Sequence, residues 1–159
     1  MFLFQKILLH LQRYCICKSY AFMNPIEILN KHHLKRTSCR QGIIETMLNA
    51  PFALSETEIR EELPGNYDRT TFYRSFKTLE NNNIIHKIII DNQIVKYAID
   101  HTPASGKSHA HFYCSKCKSV QCMDNILIEK PSLPKGFIEL RTDVMIKGIC
   151  ASCKKNNSD

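Results

Sequence analysis

Residues 109–117 read His-Ala-His-Phe-Tyr-Cys-Ser-Lys-Cys, and residues 150–153 read Cys-Ala-Ser-Cys. Each Cys-x-x-Cys pair places two sulfurs on one side of a tight turn, and two such pairs supply the four thiolates of a closed, structural zinc site. The segment between the pairs, residues 118–149, is longer than the roughly 15–20 residues of the common zinc-ribbon spacing. It must fold back on itself, so we expect a zinc ion to clip a small domain at its base.

Two other thiol chemistries fit these cysteines less well. Disulfides would need an oxidising compartment, and nothing else in the sequence indicates secretion. A redox-active pair normally stands alone at a helix start and not in a matched set. The spacing therefore favours structural zinc, with four ligands: Cys114, Cys117, Cys150 and Cys153.

The His-x-His sequence indicates a second, different metal site. On an extended strand, His109 and His111 point the same way. Imidazoles suit Zn²⁺, Fe²⁺ or Mn²⁺ in an open, exchangeable site, although two surface histidines are the plainer interpretation. Cys122 could return from the next strand as a third ligand, or it could be a buried core cysteine.

The composition favours a polyanionic partner. The chain has 159 residues, enough for one domain or two small ones, and its 43% hydrophobic content allows a core. Its formal charge is +7, and its isoelectric point is about 9.0. These values indicate nucleic acid before a membrane surface. No apolar run approaches the roughly 18 residues of a membrane span.

Residues 1–22 stand apart from the rest. They lack a charged region ahead of the apolar stretch and a small-residue cleavage site, so they do not resemble a signal peptide. We expect Met23 to be the true start, because a helix begins directly after it. A membrane-associating amphipathic segment and a docking tail are the alternatives.

Helix signals follow Met23 in close succession. Asn24-Pro25 begins the first helix, and Thr37 or Ser38 begins the second. The capping box at Ser55–Glu58 begins a third. Each start places an oxygen acceptor before a short apolar stripe, which predicts a compact helical domain.

The next helix, formed by the run from Asp68 to Leu79 and ended by Asn81-Asn82-Asn83, has two distinct faces. Phe72, Phe76 and Leu79 share the apolar face. Two β-rich runs joined at residues 91–93 then predict a hairpin. Helices followed by a hairpin predict a winged helix-turn-helix, in which the polar face of this helix enters the DNA major groove. The candidate DNA contacts are Thr70, Thr71, Tyr73, Arg74 and Lys77.

The remaining segments predict a hinge and a second domain. Residues 102–108 predict a linker. Beyond it, strands are expected at 112–113, 120–123, 137–140 and 144–149, with a short helix at 126–129. The fold class is therefore α+β, a winged helix-turn-helix followed by a small α/β dimerisation domain with a four-cysteine zinc site. The predicted boundaries are 1–23 for the extension, 24–101 for the winged helix, 102–108 for the hinge and 109–159 for the zinc-binding domain.

From Asn24 to Cys153 the chain resembles the ferric uptake regulator family of metal-responsive repressors. The resemblance implies a winged helix that binds inverted-repeat operators, a dimerisation domain, a structural zinc held by the four cysteines and a regulatory metal site at the hinge. His109 and His111 match two regulatory ligands. The residues that carry the resemblance are Leu34-Lys35-Arg36-Thr37 with Arg40, Thr70-Thr71-Phe72-Tyr73-Arg74, His109-x-His111-x-x-Cys114-x-x-Cys117 and Gly148-Ile149-Cys150-x-x-Cys153.

The chain departs from that family at the regulatory site. The usual His before the capping-box helix is missing from residues 50–54. The acidic ligand that the family has after the wing is absent, and Asp100 and His101 are the candidates to replace it. At the position of the acidic ligand that follows the first cysteine pair, this chain has Cys122. Members of the family commonly have a second sensing site, and of its ligands this chain keeps only Glu129. Cys122 makes the set softer, which favours Zn²⁺ over Fe²⁺.

We therefore expect a cytoplasmic, homodimeric, zinc-containing repressor that binds double-stranded DNA and no membrane. Its DNA contacts would include Arg40 with the residues of the polar helix face. A second Zn²⁺, or Fe²⁺ or Mn²⁺, would bind at His109, His111 and Cys122. The rivals are a family member that has lost metal sensing, a zinc or thiol enzyme, and an RNA-associated zinc protein.

Overall fold

The computed structural model describes residues 23–91, 94–100, 109–128, 132–140 and 142–155. In this part of the chain, four helices precede two small sheets. The helices are α1 (Pro25–Lys31), α2 (Ser38–Asn49), α3 (Glu56–Glu62) and α4 (Arg69–Asn81), with α5 (Ala151–Lys155) near the end. The strands are β1 (Ile85–Ile90), β2 (Ile94–Ile99), β3 (His109–Cys114), β4 (Val120–Leu127) and β5 (Val144–Gly148).

Each of the first four helices begins at a side chain that caps it. The oxygens of Asn24, Thr37, Ser55 and Asp68 accept hydrogen bonds from backbone amides three residues on, which satisfies donors that the helix itself leaves open. Asn24 and Ser55 form complete capping boxes with the acids that follow them. The predicted helix starts are confirmed.

The first core lies between α2, α4 and the hairpin. Phe72, Phe76 and Leu79 are buried on one face of α4, as the periodicity predicted. The ring of Phe76 meets that of Tyr97 on β2 edge to face, with centroids 4.7 Å apart. Ile43 is fully buried on α2 and belongs to the same core. This packing fixes α4 against the hairpin and leaves its other face outward.

Strands β1 and β2 form the predicted hairpin. They pair antiparallel from Ile85 opposite Ile99 to Ile90 opposite Ile94. The Lys96 ammonium lies 2.5 Å from the Glu58 carboxylate, so the capping box of α3 is also tied to the hairpin. Helices followed by this two-stranded wing give the winged helix-turn-helix.

The second sheet has the strand order β4-β3-β5. Strand β3 lies in the centre, antiparallel to β4 and parallel to β5. The register places Cys114, at the end of β3, opposite Gly148, at the end of β5. The chain therefore reaches both Cys-x-x-Cys turns at the same edge of the sheet.

The winged helix packs against this second sheet. Ala53, Ile88 and Ile90 form one apolar cluster with Tyr113 and Val120. The amide of Ala53 also donates a 2.9 Å hydrogen bond to the carbonyl of Val120. The predicted linker, residues 102–108, lies outside the described residues.

The short helix expected at residues 126–129 is wrong, because Ile126 and Leu127 belong to strand β4. Pairing of Leu127 with His109 extends the strand past a bulge. The local helical pattern is overridden by this cross-strand pairing, which a single sequence does not reveal.

The strand expected at residues 137–140 is also wrong. The backbone there is irregular, and Phe137, Ile138 and Leu140 are 70%, 85% and 94% exposed. A strand needs a neighbouring strand to pair its amides and carbonyls, and no described strand borders this segment. Within the described residues no helix has the length and apolar character needed to cross a bilayer.

We expect Phe76→Ala to lower the free energy of unfolding by about 3–5 kcal/mol, because it empties a fully buried ring site. Urea denaturation followed by circular dichroism would measure the loss. Tyr73→Ala is the matched control, since this ring lies 49% exposed on the same helix. Equal losses for the two variants would contradict the assigned core face of α4.

Candidate metal centres and nucleic-acid interface

Four cysteine sulfurs meet where β3 and β5 end. Cys114 and Cys117 border the turn after β3, while Cys150 and Cys153 follow β5. All four sulfurs lie within 4.8 Å of one another, and those of Cys117 and Cys150 are 3.8 Å apart. A tetrahedron with zinc–sulfur bonds of about 2.3 Å has edges of about 3.8 Å. The spacing therefore fits a zinc ion.

Backbone amides at this cluster stabilise thiolates. Amides of Cys117 and Cys150 point at the Cys114 sulfur, the latter at 3.3 Å, and lower the pKa of this thiol to about 6. The Ser119 hydroxyl, 3.1 Å from the Cys117 sulfur, lowers the pKa of Cys117. The neighbouring sulfur of Cys150 raises the pKa of Cys153 to about 12. Metal ligands must be thiolates, and the pKa of about 6 favours the thiolate of Cys114 at neutral pH.

Gly148, just before the second cysteine pair, has little space beside it. A Cβ at this position would lie 3.1 Å from the ring of Phe112 on the neighbouring strand. A larger residue at this position would require the Phe112 ring to shift. Four protein sulfurs leave no coordination position for a substrate, so the cluster suits a structural ion and not catalysis.

A second cluster contains three imidazoles and one thiol. Its members are His86, His109, His111 and Cys122, whose candidate ligand atoms all lie within 4.8 Å of one another. The Nε2 atoms of His86 and His111 are 3.0 Å apart, and the Cys122 sulfur lies 3.7 Å from His86 Nε2. Tetrahedral coordination with metal–nitrogen bonds of about 2.0–2.1 Å needs nitrogens roughly 3.3 Å apart, so these donors can converge on one ion.

Strand pairing assembles this cluster. His109 and His111 are two residues apart on β3, so their side chains lie on the same face of the sheet. His111 lies directly opposite Cys122 on β4. His86 comes from β1 of the wing, and its ring centroid lies 5.1 Å from that of His109 and 5.2 Å from that of His111. The cluster therefore joins the winged helix to the second sheet.

His86 was missed by the sequence reasoning, which looked for the wing ligand at Asp100 or His101. Among the described residues, Asp100 belongs neither to the four-cysteine cluster nor to the histidine–cysteine cluster. Its backbone amide donates a hydrogen bond to the carbonyl of Ile84. His101 and Glu129 lie outside the described residues. The available signal was a histidine within the isoleucine-rich first strand of the hairpin.

Burial within the histidine–cysteine cluster favours the uncharged form of the His109 imidazole. Burial lowers the pKa of His109, which keeps it in the neutral, ligating form. Burial also raises the pKa of Asp124, whose Oδ1 atom lies 3.7 Å from His109 Nδ1. Three imidazoles and a thiolate form a borderline-soft donor set, which suits Zn²⁺ better than an oxygen-rich site would.

The outer face of α4 presents most of the predicted DNA contacts. Thr70, Tyr73 and Arg74 are exposed there. The Thr71 hydroxyl instead bonds Asp68 in the helix cap, and the Lys77 ammonium lies 2.6 Å from Glu80. These two side chains have partners within the chain and would have to exchange them to contact DNA.

Arg40 connects two helices. Its guanidinium donates to the carbonyl of Lys35 at 3.0 Å and to the hydroxyl of Thr78, on α4, at 3.4 Å. These hydrogen bonds hold the start of α2 beside α4. The structure thus gives Arg40 a positioning role that does not depend on DNA.

A model of the ferric uptake regulator family matches residues 31–135. The chain belongs to this family. Its members are transcriptional regulators and not enzymes, and the mixed α+β architecture with the four-cysteine cluster agrees with the family fold. No curated protein matches the chain significantly.

Solved structures share the fold at low sequence identity. A zinc uptake regulator complexed with zinc and DNA has a TM-score of 0.60 and 18% identity, with 100% of each chain covered. The Helicobacter pylori ferric uptake regulator, described as having three functional metal-binding sites, has a TM-score of 0.52 and 18% identity, covering 97% of this chain and 95% of that one. A ferric uptake regulator from Francisella tularensis has a TM-score of 0.53 and 23% identity, covering 76% and 95%.

We expect Cys114→Ser to abolish tight zinc binding at the four-cysteine cluster and to unfold the second sheet, because structural zinc contributes on the order of 10 kcal/mol to such small units. Elemental analysis and circular dichroism would measure both effects. Ser115→Ala, in the same turn, is the control and should keep its zinc. Full zinc content in Cys114→Ser would refute the assignment.

Proposed function

We infer that this family member is a zinc-responsive transcriptional repressor that binds operator DNA as a dimer. The observation that carries this proposal is the convergence of His86 with His109, His111 and Cys122, because it puts metal donors on both sides of the contact between the winged helix and the second sheet. The borderline-soft donor set supports Zn²⁺ over Fe²⁺ or Mn²⁺.

The proposed coupling follows from where the donors lie. A bound ion would supply bonds between β1 and β3, and so would favour one orientation of the wing relative to the second sheet. The orientation of α4 follows that of the wing, because Phe76 and Tyr97 are packed together in the same core. An ion that binds one orientation better than others shifts the population towards it.

The outer face of α4 supports duplex DNA as the partner. Thr70 and Tyr73 can contact phosphates or base edges, and Arg74 can contact guanine or phosphate. The formal charge of +7 adds a long-range attraction for DNA. The four-cysteine cluster would hold a structural zinc and take no part in sensing.

The exposed apolar residues of the second domain support a homodimer. Phe137, Ile138 and Leu140 are largely exposed, and no described strand borders them. Contiguous exposed apolar surface marks interaction sites, and a second copy of the chain would cover it. We also propose the cytoplasm as its location, because no disulfide joins the six cysteines of the described residues and such thiols persist in a reducing compartment.

A second candidate function is constitutive DNA binding without metal sensing. The apolar cluster of Ala53, Ile88 and Ile90 with Tyr113 and Val120 already holds the wing to the second sheet without a metal. If this contact alone sets the orientation, DNA affinity would be the same with one and with two zinc ions per chain. Mobility-shift titrations at both metal contents separate the two functions.

We expect His86→Ala to weaken binding of the second zinc by more than the roughly 10- to 100-fold typical of losing an outer-sphere partner, because it removes a direct donor. The zinc-dependent gain in operator affinity should disappear, while circular dichroism stays unchanged. Chelator competition and fluorescence anisotropy would measure the two effects. Unchanged zinc dependence would sink the sensing function.

The control for His86 is His33→Asn in the same winged helix. His33 is exposed and has a φ of 55°, a conformation that Asn tolerates well. This variant also removes one imidazole, but it lies outside the cluster. It should bind the second zinc as the wild type does.

We expect Arg74→Ala to cost about 1–3 kcal/mol of operator binding if Arg74 reads a base, or to lower the salt slope by about 1 if it contacts phosphate. Anisotropy titrations at several salt concentrations distinguish the two results. Arg60→Ala, which removes an exposed arginine from α3, is the charge-matched control. Equal losses in both variants would mean that α4 is not the DNA-contacting helix.

A further inference from the structure

The side chain of Asp124 is buried beside the histidine–cysteine cluster without being one of its members. Its side chain is 16% exposed, and neither carboxylate oxygen has a hydrogen-bond partner among the described residues. His109 Nδ1 lies 3.7 Å from Asp124 Oδ1. A buried carboxylate without hydrogen bonds is costly, so its position calls for an explanation.

The local strand geometry holds Asp124 near His109. Cys122 and Asp124 are two residues apart on β4 and share one face of the strand, as His109 and His111 do on β3. Ala110 on β3 pairs with Met123 on β4, but the preceding residue, His109, pairs with Leu127, so three residues of β4 lie between the two pairs. This bulge leaves Asp124 unpaired in the ladder, and bulges commonly re-aim side chains next to functional sites.

The two nitrogens of His109 are thereby distinguished. Nδ1 faces the carboxylate of Asp124, while Nε2 is buried and has no hydrogen-bond partner among the described residues. Metal-ligating histidines almost always donate their other ring N–H to a carboxylate, carbonyl or water. His109 therefore has a carboxylate near Nδ1, and its Nε2 atom is available as a metal ligand.

The charge of the site also favours a nearby anion. Three neutral imidazoles and one thiolate supply a single negative charge against a divalent cation, and the positive charge left over is unfavourable in a site that is partly shielded from solvent. The Asp124 carboxylate would make the total neutral. It would do so without entering the coordination sphere, since Asp124 is not among the converging donors.

We propose that Asp124 is the positioning carboxylate of the sensing site: it accepts a hydrogen bond from His109 Nδ1–H, orients the ring with Nε2 towards the ion and neutralises the loaded site. The 3.7 Å separation is longer than a hydrogen bond of about 2.7–3.2 Å, and it should shorten when an ion on Nε2 makes Nδ1–H a stronger donor. This inference rests on the proposed function, because it takes the cluster to be a metal site.

The test compares the full chain, carrying its structural zinc, with Asp124→Asn. We expect the second zinc to bind about 10- to 100-fold more weakly, measured with a competing chromophoric chelator. The melting temperature of the form with one zinc should stay the same or rise, because the variant removes a buried carboxylate. A falling melting temperature with unchanged zinc affinity would instead show a purely structural residue and overturn the proposal.

Cobalt substitution provides a readout that distinguishes positioning from coordination. With Co²⁺ at the second site, Asp124→Asn should keep the visible bands and the sulfur-to-metal absorption of the wild type, since all four donors remain. A loss of visible intensity would make Asp124 a ligand and overturn the positioning role. Asp143→Asn, an exposed carboxylate on the same domain, is the control and should leave every value unchanged.

A double-mutant cycle tests whether Asp124 acts through His109. In a His109→Ala background, Asp124→Asn should cause a smaller loss of zinc affinity than in the wild type, because the part of its effect that passes through that imidazole is already gone and only the charge contribution remains. Independent losses would overturn the proposal. If the wild type takes up no second metal, the proposed sensing function falls and this inference with it, whereas a normal wild type with an unaffected variant overturns this inference alone.

Discussion

Strand β3 supplies potential donors to both candidate metal clusters, and the second sheet is arranged around it. Its period of two places His109 and His111 on the face that meets the wing and Cys114 on the other. Its central position lets β4 deliver Cys122 beside the histidines and β5 deliver Cys150 beside Cys114. A change of register by one residue would exchange the two faces and disrupt both clusters together.

The contact between the winged helix and the second sheet combines two kinds of interaction. The apolar cluster around Ile88 and Tyr113 is always available, and its strength does not depend on metal. The donors around His86 would add stability only when an ion is present. A contact that is held weakly without metal and more strongly with it is suited to shift a population, and the balance between these two contributions decides whether the protein senses zinc.

The structural cluster and the histidine cluster differ in ways that match their proposed roles. Four cysteines from one sheet edge form a closed set near the surface, held by short turns. The histidine cluster takes its donors from strands of two units, includes a single sulfur and has a buried carboxylate beside it. A site of that kind could lose its ion without losing the fold of either unit, because the winged helix has its own hydrophobic core and the second sheet would keep the proposed structural zinc.

Local chemistry in the sequence determined much of this protein. Capping residues such as Asn24 and Ser55 defined helix starts, the spacing of Phe72 and Phe76 defined the buried face of α4, and the cysteine spacing predicted one compact cluster. These features depend on neighbours within a few residues along the chain. Tertiary structure alone decided that Ile126 extends a strand, that residues 137–140 form none, and that His86 faces His111. Those outcomes depend on pairing and packing between residues distant in sequence, and only the folded chain brings such residues together.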